Sequence, residues 1–398
     1  NYKKIVNLSA PPTEGKGISG RSRFRVSLGL TWKAKPTSWM HYRVEGRYLA
    51  LVNSDAYKSD NNSVWKISEW ELGEAYLTLS PLPFWDLAIG RQVVAWGKGN
   101  ILRVNDIWNP IDQREPGTLT LAQSKLPVGM VKTDFYSSYI RLQAIVTTEY
   151  RGAKNPKPGS DYYPPSGELP EEAMPVESAE NAELGVAVTL DVAGIEASFY
   201  KSRYYDRYFY ANPQGSIILD SGVVVPAGFV LSRAPIDHQG LGLSYQYGLF
   251  TASIEAALLK GVKTFPITDN NQRLDTLVAL EYNNSGDFFV AVEGVSRRLK
   301  EDVRTSREIS DLGVKKQELA FLLGKNFLRE TLEAQIGILS FGNGGRQGGL
   351  QTLRLEYDLS DTKAIYGGVL NYSRGQESPL SKQLDRNDQV FTGVKLYF

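Results

Sequence analysis

One pattern limits what this chain can become. Apolar and polar residues alternate with a period of two, in segment after segment, along the whole length. The clearest stretch runs Arg23-Phe24-Arg25-Val26-Ser27-Leu28-Gly29-Leu30-Thr31-Trp32. Phe24, Val26, Leu28, Leu30 and Trp32 fall on one side, and Arg23, Arg25, Ser27, Gly29 and Thr31 on the other. A helix would mix these sets, whereas an extended strand separates them. The pattern recurs where His41, Arg43, Glu45 and Arg47 alternate with Tyr42, Val44, Gly46 and Tyr48. It recurs again where Leu353, Leu355 and Tyr357 alternate with Arg354, Glu356 and Asp358.

The connections alternate as well. Short ones are expected at 35–38, 81–84, 137–138, 193–194, 248–250, 284–287, 326–330 and 359–362. Long polar ones lie between them, near 53–67, 97–127, 151–181, 203–236, 261–272, 300–315, 342–349 and 375–387. Short turns on one rim and long loops on the other are the layout of an up-and-down transmembrane barrel, with the turns periplasmic. From Arg21 onward there are roughly 17 strands of the ~9–11 residues that a tilted membrane strand needs. A periplasmic N-terminus then requires one strand more, and residues 2–10 are the segment available for it. The expectation is an all-β, antiparallel transmembrane barrel of about 18 strands, with 16 as the alternative. The whole chain, 1–398, forms one domain. The last strand, from Gln389 to Phe398, closes on an aromatic, with Val390, Val394, Leu396 and Phe398 toward lipid.

A soluble sandwich, propeller or solenoid also alternates, but seldom puts aromatics at strand ends. Here Trp32, Trp39, Tyr42, Tyr48, Trp70, Trp85, Tyr139, Tyr245, Tyr247, Tyr282 and Tyr357 lie at or near strand ends, as interfacial girdles do. No apolar run reaches the roughly 18 residues of a transmembrane helix. The mean hydropathy of −0.29 suits a barrel, in which only alternate residues meet lipid. The chain has no cysteine, in keeping with passage through an oxidising compartment. No signal peptide is visible at Asn1, so an exported chain would have lost it already. A net charge of +1 makes no case for nucleic acid. The expected place is the outer membrane of a Gram-negative bacterium, with lipid and lipopolysaccharide around the wall.

Catalysis finds little support. The chain has two histidines and no nucleophile motif. His41 falls among lumen residues. His238 stands beside Asp237 and reads as rim hydrogen bonding rather than as part of a triad. No cofactor or metal motif is present. The chemistry sits on the lumen face. Arg21, Arg23, Arg25, Arg43 and Arg47 form a basic wall, with Arg141 and Arg354 further round. Glu183, Glu196, Glu255, Glu281, Glu293, Glu318, Glu333 and Glu356 form an acidic one, and Glu45 and Glu74 interrupt the basic side. Opposed strips would set up a transverse field favouring polar and charged solutes; equally, Arg–Glu ladders would brace the wall.

The segment 97–127 carries Lys98, Arg103, Asp106, Asp112, Arg114 and Glu115, together with Ile101, Leu102, Val104, Ile107 and Trp108. That is more apolar surface than a solvated loop needs, so it is expected to fold inward and constrict the bore; packing on the outer rim is the alternative. The segment 151–181 is rich in Pro, Gly and acid, and reads as a mobile external loop.

Gly90-Arg91-Gln92, Trp96-Gly97, Asn109-Pro110-Ile111-Asp112, Glu115-Pro116-Gly117 and Leu126-Pro127-Val128-Gly129-Met130 resemble a proteobacterial outer-membrane family, the domain of unknown function 1302 (DUF1302). The Gly-Arg-Gln element is also similar to alginate-export-type barrels. The resemblance covers residues 90–130 and implies an outer-membrane channel of open cargo. The leading expectation is a porin-like channel for passive diffusion of small polar or charged solutes. The alternative is a dedicated conduit, exporting a polysaccharide or sheathing a periplasmic partner such as a multihaem cytochrome. A closed structural or adhesive barrel is the third reading.

Overall fold

The computed structural model describes residues 3–10, 21–55, 65–118, 120–156, 162, 172–218, 224–225, 227–264, 267–284, 287–300, 315–375 and 387–397. Eighteen strands form one antiparallel sheet. They are β1 (Lys3–Ala10), β2 (Arg21–Thr37), β3 (Met40–Asp55), β4 (Trp65–Leu82), β5 (Trp85–Gln92), β6 (Val128–Tyr136), β7 (Ile140–Thr147), β8 (Glu183–Val192) and β9 (Ile195–Tyr205). There follow β10 (Pro235–Tyr247), β11 (Phe250–Thr264), β12 (Ile267–Asn284), β13 (Phe288–Lys300), β14 (Lys315–Phe327), β15 (Leu332–Phe341), β16 (Gly349–Ser360), β17 (Lys363–Ser373) and β18 (Gln389–Leu396).

Each strand pairs with its sequence neighbours, and β1 pairs with both β2 and β18. Leu8 faces Val394 and Ala10 faces Thr392. The sheet therefore returns on itself with 18 strands rather than 16. Closure gives every strand a neighbour on each side, which hydrocarbon favours because it offers no water to unpaired amides. The chain is a closed antiparallel β-barrel of the transmembrane type.

The alternation becomes two faces. Trp32, Leu280, Val278, Leu319, Leu355 and Ile365 are exposed outward, where lipid lies. Aromatics pair near the turns, as in Trp32 with Tyr42 (ring centroids 5.0 Å apart), Trp85 with Phe135 (5.8 Å) and Phe250 with Tyr282 (4.9 Å). At the turn between β8 and β9, Ala193 and Gly194 take φ of 54° and 81°, the left-handed pair that a two-residue hairpin requires.

Two expected loops are corrected. Residues 261–272 are mostly strand, because β11 and β12 continue to Thr264 and from Ile267. The long connection 203–236 holds one hairpin of its own in two nested ladders, Tyr210–Gln214 against Gly228–Ser232 and, further out, Ile217–Ile218 against Val224–Val225.

The apolar core lies inside the barrel and off its axis. Trp96, Ile107 and Trp108 cluster with Val128, Ile145, Tyr200 and Ile236 from the wall. Leu102 and Val104 cluster with Ala257, Leu277 and Val295. An 18-stranded bore is wider than wall side chains can fill, and a chain segment supplies the missing half of this core.

The face assignment is tested by charge placement. Val278→Arg, on the lipid face of β12, should lower stability in liposomes by about 2–4 kcal/mol. Gln335→Arg, on the lumen face of β15, should stay within about 0.5 kcal/mol of the parent. Urea titration followed by tryptophan fluorescence reads both.

Candidate functional site

The chain leaves β5 at Gln92 and does not cross the rim. Asn109, fully buried, ties the two ends of the excursion together. Its Oδ1 accepts the N–H of Val94 at 2.7 Å, and its Nδ2 donates to the carbonyls of Gln92 and Leu126 at 3.1 and 2.9 Å. Trp96 stacks on Tyr200 with centroids 5.1 Å apart and meets the edge of Trp108 at 5.2 Å. Its indole N–H donates to Gln143 at 2.6 Å.

Beyond Trp96, two wall carboxylates collect the backbone. Glu255 accepts the N–H groups of Lys98, Gly99 (2.9 Å) and Asn105 (3.1 Å), with the Asn105 side chain at 2.7 Å. Glu293 accepts those of Asn100 (2.6 Å), Ile101 (3.0 Å) and Leu102 (2.7 Å). Both carboxyls are buried. Successive N–H groups pointing at one carboxylate form an anion nest, and hydrogen bonds to a charged acceptor are about twice as strong as neutral ones.

Two wall glycines make room. A Cβ at Gly185 would sit 2.2 Å from the Trp108 ring, and one at Gly240 would sit 2.0 Å from Asn105 Oδ1. Any side chain at either position would push the segment off the wall.

The segment then reaches the opposite wall. Glu115 pairs with Arg25 of β2 at 2.7 Å, and the hydroxyl of Tyr372 on β17 donates to the carbonyl of Pro116. Arg114 lies between Asp112 and Glu69 of β4, at 2.6 Å from each. Burial works against the Asp112 charge, yet the hydrogen bonds and charge of Arg114 outweigh it and hold that carboxyl below its ordinary range. Lys125 meets Asp106 at 2.6 Å, and Arg103 donates to the carbonyls of Asp106 and Asn109. A cavity of about 1520 Å³ lies between the segment and the wall, lined in part by Arg25, Arg47, Glu69, Glu318, Arg354 and Glu356.

The expected lumen residues divide into groups. Arg43, Glu45 and Arg47 form one ladder, with Arg43–Glu45 at 3.1 Å, Arg47–Glu45 at 2.6 Å and Arg43–Glu74 at 3.0 Å. Arg354 and Lys395 share Glu356. Arg141 pairs with Asp134 at 2.9 Å, Glu318 with Arg297 at 3.0 Å, and Glu196 with Lys98. Glu281 accepts from Asn100, and Glu333 from Gln335. These pairs mix the signs along the wall, so the expected segregation into opposed strips is corrected. Glu183, Glu255 and Glu293 are likewise corrected as pore-lining residues: each is buried beneath inward-folded chain. Glu183 is paired with Arg207 at 2.7 Å. The side chains of Arg21 and Arg23 lie outside the described residues.

His238 does not pair with Asp237. It is fully buried and bonds Ser202 and Asn105, both at 3.0 Å. Among the described residues no group of His, Cys, Asp and Glu could hold a metal. The start of 151–181 differs from a solvated loop. Arg151 pairs with Glu71 and Lys154 with Glu69 and Glu71, and Ile111 forms a bridge to Lys125 while Asp112 forms one to Lys154.

Sequence reasoning missed Arg207, Arg273, Asp275 and Arg297. Asp275 takes Arg273 and Arg297 at 2.8 Å each. Arg273 and Asp275 share the lumen face of β12, and the alternation would have reached them had 261–272 been continued as strand.

The buried Glu183–Arg207 pair makes a stability prediction. Arg207→Met leaves the buried Glu183 carboxylate without its cation, held only by the Tyr205 N–H at 2.9 Å, and should cost about 3–5 kcal/mol. Adding Glu183→Gln should recover part of that loss in the same urea titration.

Comparison with known proteins completes the description. A family model described as a protein of unknown function, DUF1302, matches residues 21–275. No curated protein matches. Among solved structures, OccAB4 of Acinetobacter baumannii superposes with a TM-score of 0.50 at 7% identity, over 100% of this chain and 96% of that one. The outer-membrane channel DcaP of the same organism gives 0.44 at 10% identity, over 100% and 96%. A loop-deletion form of OmpT from Vibrio cholerae gives 0.43 at 9%, over 100% and 98%. At such identities the likeness bears on the fold alone.

Proposed function

The chain belongs to the DUF1302 family, and on that premise we propose that it is a porin-like outer-membrane channel. Small polar or charged solutes diffuse through its water-filled lumen, and the segment 97–127 is its constriction. The observation that carries this is a segment anchored on both walls of a wide barrel, beside a cavity of about 1520 Å³ lined by ionised side chains. A bore braced in that way admits small solutes and opposes large ones. Mixed Arg–Glu ladders favour water and hydrogen-bonding solutes while giving neither charge sign the whole wall. No coupling motif or catalytic group enters this reading, so flux follows the gradient.

The conduit alternative requires more. A polysaccharide chain or a folded partner needs the segment to leave its anchors, which would expose Trp96, Trp108 and Leu102 to water. Planar-bilayer recording separates the two. Purified protein should give discrete open steps without any partner, and a bilayer that stays silent until a periplasmic partner is added would overturn the porin reading. Removing both anchors, as Glu255→Ala with Glu293→Ala, should raise single-channel conductance by about twofold or more. Unchanged conductance in a folded double variant would exclude 97–127 as the constriction.

A further inference from the structure

The lumen of β15–β18 carries a feature that the channel reading leaves unused. Phe391 lies over Gly368 of the neighbouring strand, where a Cβ would come 2.6 Å from the ring. Tyr366 stands beside it, with ring centroids 6.4 Å apart. The guanidinium of Arg354 covers the Tyr366 ring at 4.6 Å. Leu339 and Leu350 continue the apolar surface along the same cavity. Leu339, Leu350, Tyr366 and Phe391 are half-buried, with Leu350 and Phe391 at the edge of the Tyr162–Leu370–Tyr372 cluster, and their cavity-facing surface stands beside charged groups, the usual composition of a ligand pocket.

The charges beside the shelf are unevenly spent. Glu356 is shared by Arg354 and Lys395. Glu333 stands directly opposite Glu356 in the ladder, and like charges so placed destabilise a sheet. Among the described residues Glu333 bonds only the Gln335 amide, through one oxygen, and it is exposed in the cavity. Among the described residues Arg354 hydrogen-bonds only through Nη2. Its other nitrogens are donors with remaining capacity. Glu333 and Arg354 are diagonal neighbours, about 7–8 Å apart by strand geometry. An unspent carboxylate oxygen and unspent guanidinium donors therefore flank one aromatic shelf.

We infer that this shelf binds a small zwitterion with a flat apolar side group, the chemistry of an aromatic α-amino acid. The ammonium group meets Glu333 and relieves its repulsion with Glu356. The carboxylate meets Arg354. The side group lies on Phe391, at the edge of the Tyr366 ring. The inference rests on the channel reading for its biological sense but not for its test, because binding can be measured without conduction.

Saturation-transfer difference NMR on the full barrel in detergent micelles, with protein-free micelles as the blank, uses four probes. L-Phenylalanine carries every feature, L-alanine lacks the ring, 3-phenylpropionate lacks the ammonium and phenethylamine lacks the carboxylate. L-Phenylalanine should bind about fivefold or more tightly than each of the others, about 1 kcal/mol. Glu333→Gln should erase its advantage over 3-phenylpropionate, and Phe391→Ser its advantage over L-alanine. Heat-modifiable migration on gels verifies that each variant is folded. If a variant does not fold, the probe series on the parent still decides. Equal binding of all four probes, or no transfer from L-phenylalanine, overturns the inference. Binding by a barrel that is silent in bilayers would sink the channel reading and leave this one standing; conduction without binding would do the reverse.

Discussion

Two buried carboxylates organise the interior. Glu255 on β11 and Glu293 on β13 stand on the lumen face one strand apart and draw in the backbone of Lys98, Gly99, Asn100, Ile101, Leu102 and Asn105. A buried charge is tolerated only where hydrogen bonds replace its water. Here the segment's own amides replace it, and the same bonds satisfy amides that would otherwise be buried without partners. Each side needs the other. The apolar contacts of Trp96, Trp108 and Leu102 follow from that docking.

The wall makes this possible by being closed. Eighteen strands leave no free edge, since β1 joins β2 to β18. With its edges satisfied, the barrel can carry charge inside and hydrocarbon-facing side chains outside. The bore of so many strands is too wide to be filled from the wall. An inward segment, a braced ladder of ions and a residual cavity are three responses to one excess of volume.

Much of this was legible in the sequence. Strand existence and the lipid face follow from period-two alternation, because each strand carries its own evidence, whereas the closing first strand follows from the parity that a periplasmic N-terminus imposes. The apolar surplus of 97–127 signalled a segment that needed cover. The family motif proves to be the docking apparatus: Asn109 ties the ends, Trp96 stacks on the wall, and Glu115-Pro116 contacts β2 and β17. Other features were not legible. Glu255 and Glu293 look like any lumen glutamate, because a backbone partner leaves no side-chain signal. Gly185 and Gly240 earn their place only through a ring and an amide that arrive from remote sequence. The pairing of charges within each patch depends on register, which alternation alone does not fix across strands. The polar stretch 261–272 resembled a loop because Thr268-Asp269-Asn270-Asn271-Gln272 is polar at every position and leaves no alternation to read.

The central claim is that residues beyond Gln92 dock on the inner wall at Glu255 and Gly240. A chain without cysteine allows a direct measurement. Lys98→Cys and Glu196→Cys, introduced together, replace an ion pair between the segment and β9 and leave Glu255, Gly185 and Gly240 untouched. A short bifunctional maleimide added to the folded barrel should yield one cross-linked peptide pair joining the segment to β9 within a single chain. Two separately modified thiols with no such cross-link in the folded barrel would mean that the segment lies elsewhere, and the account of the lumen would be wrong.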